Sequence, residues 1–371
     1  MPAPTACSRK APTNGNWPRD CAAGFVTAAT RILASPHERR EYPCARPDAR
    51  AFSGTDRQDS APEYARSSVT QRDYAELSVQ PCEGVDLGDF DPGSTGNFKS
   101  KRHARTQLGT DIQRLSALQD MLYAKGEYAL LIVLQGMDAA GKDGAIKHVM
   151  TGINPQGVDV SSFKTPSAAE LAHDYLWRCA KALPERGRIG IFNRSYYEEL
   201  TVVRVHEAIL EREDLPPGNK VDLWKDRYED IVAFERHLSR NGTRIVKFFL
   251  HLSEDEQRKR LLDRVETPDK NWKLSAADVH ERSFWQSYQR VYEELLTHTS
   301  TSSAPWYIIP ADHKWFSRVA IAGIIVAELE ALHLTYPQVS DEQRSHLAEI
   351  GKELASSHDR RSRHDLEVAL A

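Results

Sequence analysis

The chain has 371 residues, 40% of them hydrophobic and 27% charged, with 49 Lys and Arg against 53 Asp and Glu and a formal net charge of -4. These proportions exclude wholesale disorder, collagen-like repeats and a membrane bundle, and the best candidate span, Val319 to Ala327, falls far short of the roughly 18 to 20 apolar residues that cross a bilayer. The near-neutral balance argues against a general nucleic-acid binder while leaving room for a local basic groove that holds a polyanion.

Residues 1–84 read as a disordered extension. To about Gln80 the chain is rich in Ala, Pro, Ser and Arg, almost free of Lys and poor in Leu, Ile and Phe, so it cannot bury enough surface to offset its ordering entropy. It lacks the basic start and apolar core of a secretory signal, and Asp20, Glu38 and Glu41 interrupt a transit-peptide pattern, which places the protein in the cytoplasm. The five cysteines, Cys7, Cys21, Cys44, Cys82 and Cys179, have no metal-type spacing and read as incidental thiols.

A folded domain is expected over 85–336, with 337–371 as one further helix and a tail. The turn-rich stretch DFDPGSTGN, Asp89 to Asn97, opens it, and five basic residues between Lys99 and Arg105 lead into a helix predicted from His103 to Lys125, where Ile112, Leu115, Leu118, Leu122 and Tyr123 recur near a 3.6 period. Short apolar runs follow at Tyr128–Leu134, Val158–Phe163, Arg188–Phe192, Arg244–His251 and Trp306–Ile309, separated by helical stretches such as Ala168–Leu183 and Val221–Arg240. Such alternation calls for a parallel sheet covered on both faces. Ser167 and Ser253 each stand three residues before a Glu, the spacing of a capping box. The helix Trp315–Leu334 carries apolar residues on most faces and is expected to be buried.

The strongest local signal is YALLIVLQGMDAAGKDGAIKHVM: an apolar strand, then Gly136, four residues, and Gly141-Lys142 opening a helix. This is the order of a phosphate loop, in which glycines let consecutive N–H groups turn toward phosphate oxygens and the helix N-terminus adds positive potential. Lys142 is expected as a largely unsatisfied cation placed for phosphate. Asp143 stands where a Ser or Thr commonly holds magnesium, and Asp138 lies within the loop; two carboxylates beside phosphates are favourable only with a bridging metal such as Mg2+. Read structurally, Asp143 is a first-turn cap and Asp138 a turn residue.

Some fifty residues on, an apolar strand ends in Asn193-Arg194-Ser195, at the carboxyl edge where open parallel sheets bind ligands. Arg194 can stabilise charge on a transferring phosphoryl group, and Arg204 lies far enough along to reach a second phosphate. Glu198 and Glu199 also fit as plain helix-start carboxylates. A third cluster, QRKRLLDRVETPDKNWKLS, sets Arg258, Lys259, Arg260 and Arg264 on or near one helix that breaks at Thr267-Pro268. A basic helix is commonly a solvated face, but this one sits where phosphate-loop kinases carry a cationic lid.

Together these residues resemble the second family of polyphosphate kinases, the polyphosphate-dependent nucleotide phosphotransferases. The resemblance rests on GMDAAGKDG (136–144), GINPQGVDVSSFKTPS (152–167), IFNRSYYEE (191–199), TPDKNWKLSAADVHERSFWQSYQ (267–289) and APWYIIPADHKWFSRV (304–319), and it covers roughly Asp89 to Tyr336. It implies an α/β, P-loop kinase-like (thymidylate-kinase-like) parallel sheet flanked by helices, with a basic helical lid at about 254–284. It also implies Mg2+-dependent phosphoryl transfer between inorganic polyphosphate and purine nucleotides, with no nucleic-acid or membrane partner, in a homo-oligomer, dimer or tetramer.

Carried over by position, Asp138, Lys142 and Arg194 are the catalytic residues and Asp138 and Asp143 the metal ligands. Gly136, Gly141, Lys142, Lys164, Asn193, Glu198, Arg204, Arg258 and Arg260 bind phosphate, nucleotide or polyphosphate. Many members carry Asp at the position of Asn193, whose amide shifts metal binding toward Asp138 and Asp143. Tyr197, Glu198 and Glu199 look like the subgroup that phosphorylates both nucleoside monophosphates and diphosphates. An ATP-dependent nucleotide kinase and a non-catalytic nucleotide- or polyphosphate-binding module are the alternatives.

Overall fold

Five short strands rich in β-branched and aromatic residues form one parallel sheet in a computed structural model that describes residues 71–213, 215 and 222–370, with 71–73, 212–213 and 356–370 described by backbone alone. The strands are β1 (Ala129–Gln135), β2 (Val158–Ser162), β3 (Ile189–Asn193), β4 (Thr243–His251) and β5 (Trp306–Pro310), in the order β2-β3-β1-β4-β5. Every residue of β1 is buried, as expected of a central strand covered on both faces. Register sets Leu134 of β1 beside Asn193 of β3 and Gln135 beside Phe249 of β4. The first residues beyond β1 and β3, Gly136 and Arg194, therefore leave the sheet side by side, where the chain's connections reverse direction across β1.

Two cores follow from the pleat. Leu130, Ile132 and Leu134 of β1, Val246, Phe248 and Leu250 of β4, and Tyr307 and Ile309 of β5 meet α1 (Lys101–Lys125), α2 (Lys142–Val149) and α10 (Lys314–Glu330). The alternate residues Leu131, Val133, Ile245, Phe249, Trp306 and Ile308 pack with α6 (Leu223–Arg240) and α9 (Trp285–Thr299). As its composition predicts, α10 is buried over most of its length. Among the described residues no helix is long and apolar enough to cross a membrane.

Three sequence expectations need correction. The predicted helix Ala168–Leu183 is two single turns, α3 (Ala168–Leu171) and α4 (Trp177–Ala180). Asp174 interrupts it by accepting the Leu176 N–H at 3.0 Å, the competition with helix that short polar side chains offer. The capping box at Ser167 is complete, whereas at Ser253 only half forms, because the Glu256 carboxylate turns instead to Arg260. The proposed extension 1–84 does not hold over its last residues: Tyr74, Leu77 and Val79 are buried, Val79 N–H donates to the Trp306 carbonyl at 2.9 Å, and Tyr74 lies over Gly323, where a Cβ would come within 2.5 Å of its ring. Residues 1–70 lie outside the described residues. Of the five cysteines, Cys179 is a free, buried thiol, and Cys7, Cys21 and Cys44 lie outside the described residues.

Beyond α5 (Val202–Val205), the lid stretch comprises α7 (Glu254–Glu266), a 3-10 segment at Pro268–Lys273 and α8 (Ala276–Glu281), leading into α9. It carries exposed apolar side chains at Leu262, Val265, Trp272 and Val279. The C-terminal part is one helix, α11 (Asp341–Leu370), solvent-exposed from 341 to 355.

Candidate active site

β1 ends in a loop with three left-handed residues, Gly136 (φ 146°), Ala139 (φ 65°) and Gly141 (φ 110°). At Gly136 a side chain is excluded, since its Cβ would stand 2.9 Å from the Leu250 carbonyl oxygen. The turn leaves the N–H groups of Asp138, Ala139, Gly141, Lys142 and Asp143 without a hydrogen bond among the described residues, the last two belonging to the first turn of α2. Such bare N–H groups at a helix N-terminus are what a phosphate loop presents to an anion.

Lys142 is half-buried and, contrary to expectation, already engaged: Nζ donates to the carbonyls of Gly136 at 2.6 Å and Met137 at 3.3 Å. Its ammonium pKa is lowered, first by burial and then by the nearby Arg194, while Asp138, Glu198 and Asp143 pull it back up. An ammonium carries three donors, so one is left to point away from the loop.

Across the loop mouth, Arg194 follows β3 in a left-handed conformation (φ 65°), its N–H bonded to the Leu134 carbonyl at 3.1 Å. That backbone turn brings Nη2 to Asp138 Oδ1 at 3.0 Å and Nη1 to Glu198 Oε2 at 3.8 Å. Burial works against the guanidinium charge, but Glu198 and Asp138 outweigh it and the pKa is raised. Glu198 is raised by burial, against the opposing pull of Arg194 and Lys142. With the Gln135 amide turned to suit its neighbours, its NH2 donates to Glu198 Oε1 at 3.0 Å. Asn193 Nδ2 donates to Asp143 Oδ1 at 2.6 Å and so sets the direction of that exposed carboxylate.

Asp138, Lys142, Asp143, Asn193, Arg194 and Glu198 thus share one cluster with the glycines of the loop. Lys164 follows β2 at the same sheet edge, exposed, with no side-chain partner among the described residues. Three predicted residues are placed elsewhere. Arg204 does not reach toward a second phosphate: it donates to Tyr228 Oη at 2.6 Å, pairs with Glu294 at 2.5 Å and stacks over Trp224, which ties it to α6 and α9. Arg258 is exposed and, among the described residues, contacts only Asp255 of its own helix, at 3.4 Å. Arg260, expected to reach phosphate from the lid, is buried, and all five of its N–H groups go to protein.

Other groups at the site were not singled out in the sequence. Gln257 donates to the Asp138 carbonyl at 3.0 Å and accepts from Arg282 at 2.9 Å, which connects the far end of the lid to the loop. Arg318 lies 3.8 Å from the Cβ direction of Gly144 on α2, has no partner among the described residues, and has its pKa lowered by burial and by Arg260. Lys314, one turn before it, is lowered by the same two causes. Both stand in the block APWYIIPADHKWFSRV, and their i, i+4 spacing at the start of a helix was the signal available for them.

A parallel sheet with a phosphate loop at its switch point, an arginine opposite it and a helical stretch alongside define a P-loop kinase-like protein. The sequence profile of Polyphosphate kinase 2 (PPK2) matches residues 98–336. The chain is 51% identical over 281 residues to an ADP-polyphosphate phosphotransferase of Rhodopseudomonas palustris, covering 75% of this chain and 97% of that one. It is 44% identical over 261 residues to an AMP/ADP-polyphosphate phosphotransferase of Meiothermus ruber, covering 70% and 94%. Among solved structures, polyphosphate kinase 2 from Arthrobacter aurescens TC1 superposes with a TM-score of 0.68 at 37% identity, over 74% of this chain and 96% of that one. The chain belongs to the polyphosphate kinase 2 family.

Proposed function

We propose that this protein transfers the terminal phosphoryl group of inorganic polyphosphate to AMP and to ADP, giving ADP and ATP, and that the transfer also runs in reverse. The observation that carries this reading is Arg194, held by Asp138 at 3.0 Å and flanked by Glu198 across the mouth of a loop in which five N–H groups make no hydrogen bond among the described residues. Phosphoryl transfer needs little from a protein beyond positioning and charge stabilisation. The loop N–H groups and the spare donor of Lys142 grip phosphate oxygens, and Arg194 meets the charge that develops on the transferred group. The names of the Rhodopseudomonas and Meiothermus relatives support the choice of donor and acceptors.

Asp138 and Asp143 are the residues that would hold a divalent cation. They fit Mg2+, which binds through one or two carboxylates with phosphate and water oxygens completing its shell; among the described residues no group of three His, Cys, Asp or Glu forms an all-protein cage. Such a cation supplies neutralisation of the phosphate charge. The same reading takes the enzyme as cytoplasmic and homo-oligomeric, a dimer or tetramer.

The test is to incubate the purified protein with AMP, polyphosphate and Mg2+, without ATP, and to resolve nucleotides by anion-exchange chromatography. ADP followed by ATP is expected. Product formed only when ATP replaces polyphosphate would mean an ordinary nucleotide kinase, and none with either donor a binding module.

A further inference from the structure

Each backbone carbonyl of the phosphate loop from Gly136 to Ala140 is held by a side-chain donor. Lys142 takes those of Gly136 and Met137, Gln257 that of Asp138, and Arg260 those of Ala139 and Ala140, at 3.0 and 2.9 Å from Nη1. The other N–H groups of Arg260 are also spent: Nη2 donates to the carbonyls of Ala311 at 2.6 Å and Asp312 at 3.0 Å, and Nε to Glu256 at 2.9 Å. A guanidinium offers five donors in a rigid fork, and here none remains for a substrate. One buried side chain on α7 therefore clasps the loop to the turn that joins β5 to α10.

We infer that Arg260 is a positioning residue, which keeps the N–H groups of the phosphate loop facing the transferred phosphate without touching that phosphate. The inference rests on the phosphoryl-transfer reading above. Rotation of a single peptide plane would exchange an N–H for a carbonyl oxygen and set partial negative charge against the phosphate. Ala139 makes this a real hazard, because it is a non-glycine residue at φ 65°. Such a conformation persists only where its surroundings over-determine it. The fork on the carbonyls of Ala139 and Ala140 supplies that determination, and because α7 runs into the lid, it also ties the loop to the base of the lid.

The test compares Arg260→Gln and Arg260→Lys with the wild type in steady-state turnover and in backbone 15N relaxation of the ligand-free protein. Arg260→Gln should lower kcat by about ten- to a hundredfold, the scale of a small misplacement of reacting groups, with both KM values held within about threefold. Lysine, whose three donors can reach one pair of carbonyls, should recover part of the loss. The order parameters of Ala139 and Ala140 should fall from about 0.85 toward 0.6 in Arg260→Gln. A raised KM for polyphosphate with kcat unchanged would make Arg260 a contact to the chain and overturn the inference, as would unchanged loop order. If the wild type shows no turnover, the transfer reading fails, while the relaxation data still decide whether Arg260 holds the loop. If Arg260→Gln does not fold, Glu256→Gln, which loosens Nε alone, is judged by the same two readouts.

Discussion

Two lysines close to the same sheet illustrate how differently one cation can be used. Lys142 opens α2 and spends two donors on loop carbonyls, with one left over, half-exposed at the site. Lys247, in the middle of β4, is completely buried and spends all three: on Glu235 Oε2 at 2.6 Å, the Thr299 carbonyl at 2.7 Å and Tyr197 Oη at 2.9 Å. Glu235 also accepts from Tyr196 and Tyr197, so the cluster fastens the turn that carries Glu198 to α6. Burial lowers the Lys247 pKa against the pull of Glu235. Spare donor capacity, rather than charge, separates a cation that can meet substrate from one that holds the fold.

The largest expected effect tests the buried side of this contrast. Lys247→Met leaves the Glu235 carboxylate buried without its counter-charge and should cost about 3 to 5 kcal/mol of stability. Adding Glu235→Gln should recover much of it, since removing both charges is far less costly than removing one. Urea denaturation of the single and double variants measures this, and equal midpoints for the two would mean that the pair is not coupled.

On the other side, Lys142→Ala should abolish turnover while its unfolding midpoint stays close to that of the wild type. Loss of a charge-stabilising donor costs about 2.7 to 4 kcal/mol in the transition state, or roughly two to three orders of magnitude in kcat. If the folded variant turns over normally, Lys142 only ties the loop, and the contrast between the two lysines collapses.

A smaller and more selective effect is expected at Glu198, whose carboxylate flanks Arg194. When both AMP and ADP are phosphorylated, nucleotide or polyphosphate must shift by about one phosphate unit, and the proposed role of Glu198, 3.8 Å from Arg194, is to orient that guanidinium for the shorter acceptor. Glu198→Asn should lower the AMP rate about tenfold, a change of roughly 1.4 kcal/mol in the barrier, and spare the ADP rate. Initial rates at saturating polyphosphate and fixed free Mg2+ decide it. Equal losses would make Glu198 a general organiser of the site.

The smallest effect lies far from the chemistry, at a buried carboxyl group with no cation partner among the described residues. Asp111 on α1 is raised to about 6, chiefly by burial, with its Gln107 hydrogen bond opposing and Glu330 adding to the rise. Because the folded state binds this proton more tightly than the unfolded chain does, the stability it contributes is complete below about pH 4 and is lost as pH rises through about 6. Asp111→Asn should thus stabilise the protein by about 1 kcal/mol at pH 7.5 and change it little at pH 4.5. Urea midpoints at the two pH values check the sign; a gain confined to the lower pH would contradict it.

What could be read along the chain depended on how local each signal is. Apolar runs mark β1, β3, β4 and β5, which are buried along most of their length and so demand continuous hydrophobicity, whereas the edge strand β2, VDVSS, has no fully buried residue and shows only its two valines; the two glycines with Lys142 mark the loop, since its backbone angles demand them. Asn193 and Arg194 were legible from their place at a strand end. Lys247 left only an interruption in the run RIVKFFL, which does not say what it meets. The seating of Tyr74 over Gly323 was hidden inside a stretch of extension-like composition, because a few well-fitted side chains outweigh the average of their neighbours.

The roles of the basic residues were the part that neighbouring residues could not specify. Arg258 and Arg260 are two positions apart in one basic run, yet one is exposed and the other clasps carbonyls about 120 residues before it and some 50 after it. Arg204 reads as a phosphate ligand by spacing and is consumed by Tyr228 and Glu294. Backbone geometry and hydrophobic period are written in adjacent residues and can be read from them. Whether a guanidinium has donors to spare depends on which distant acceptors the packed chain brings within about 3 Å, and that is fixed only when the layers close around it.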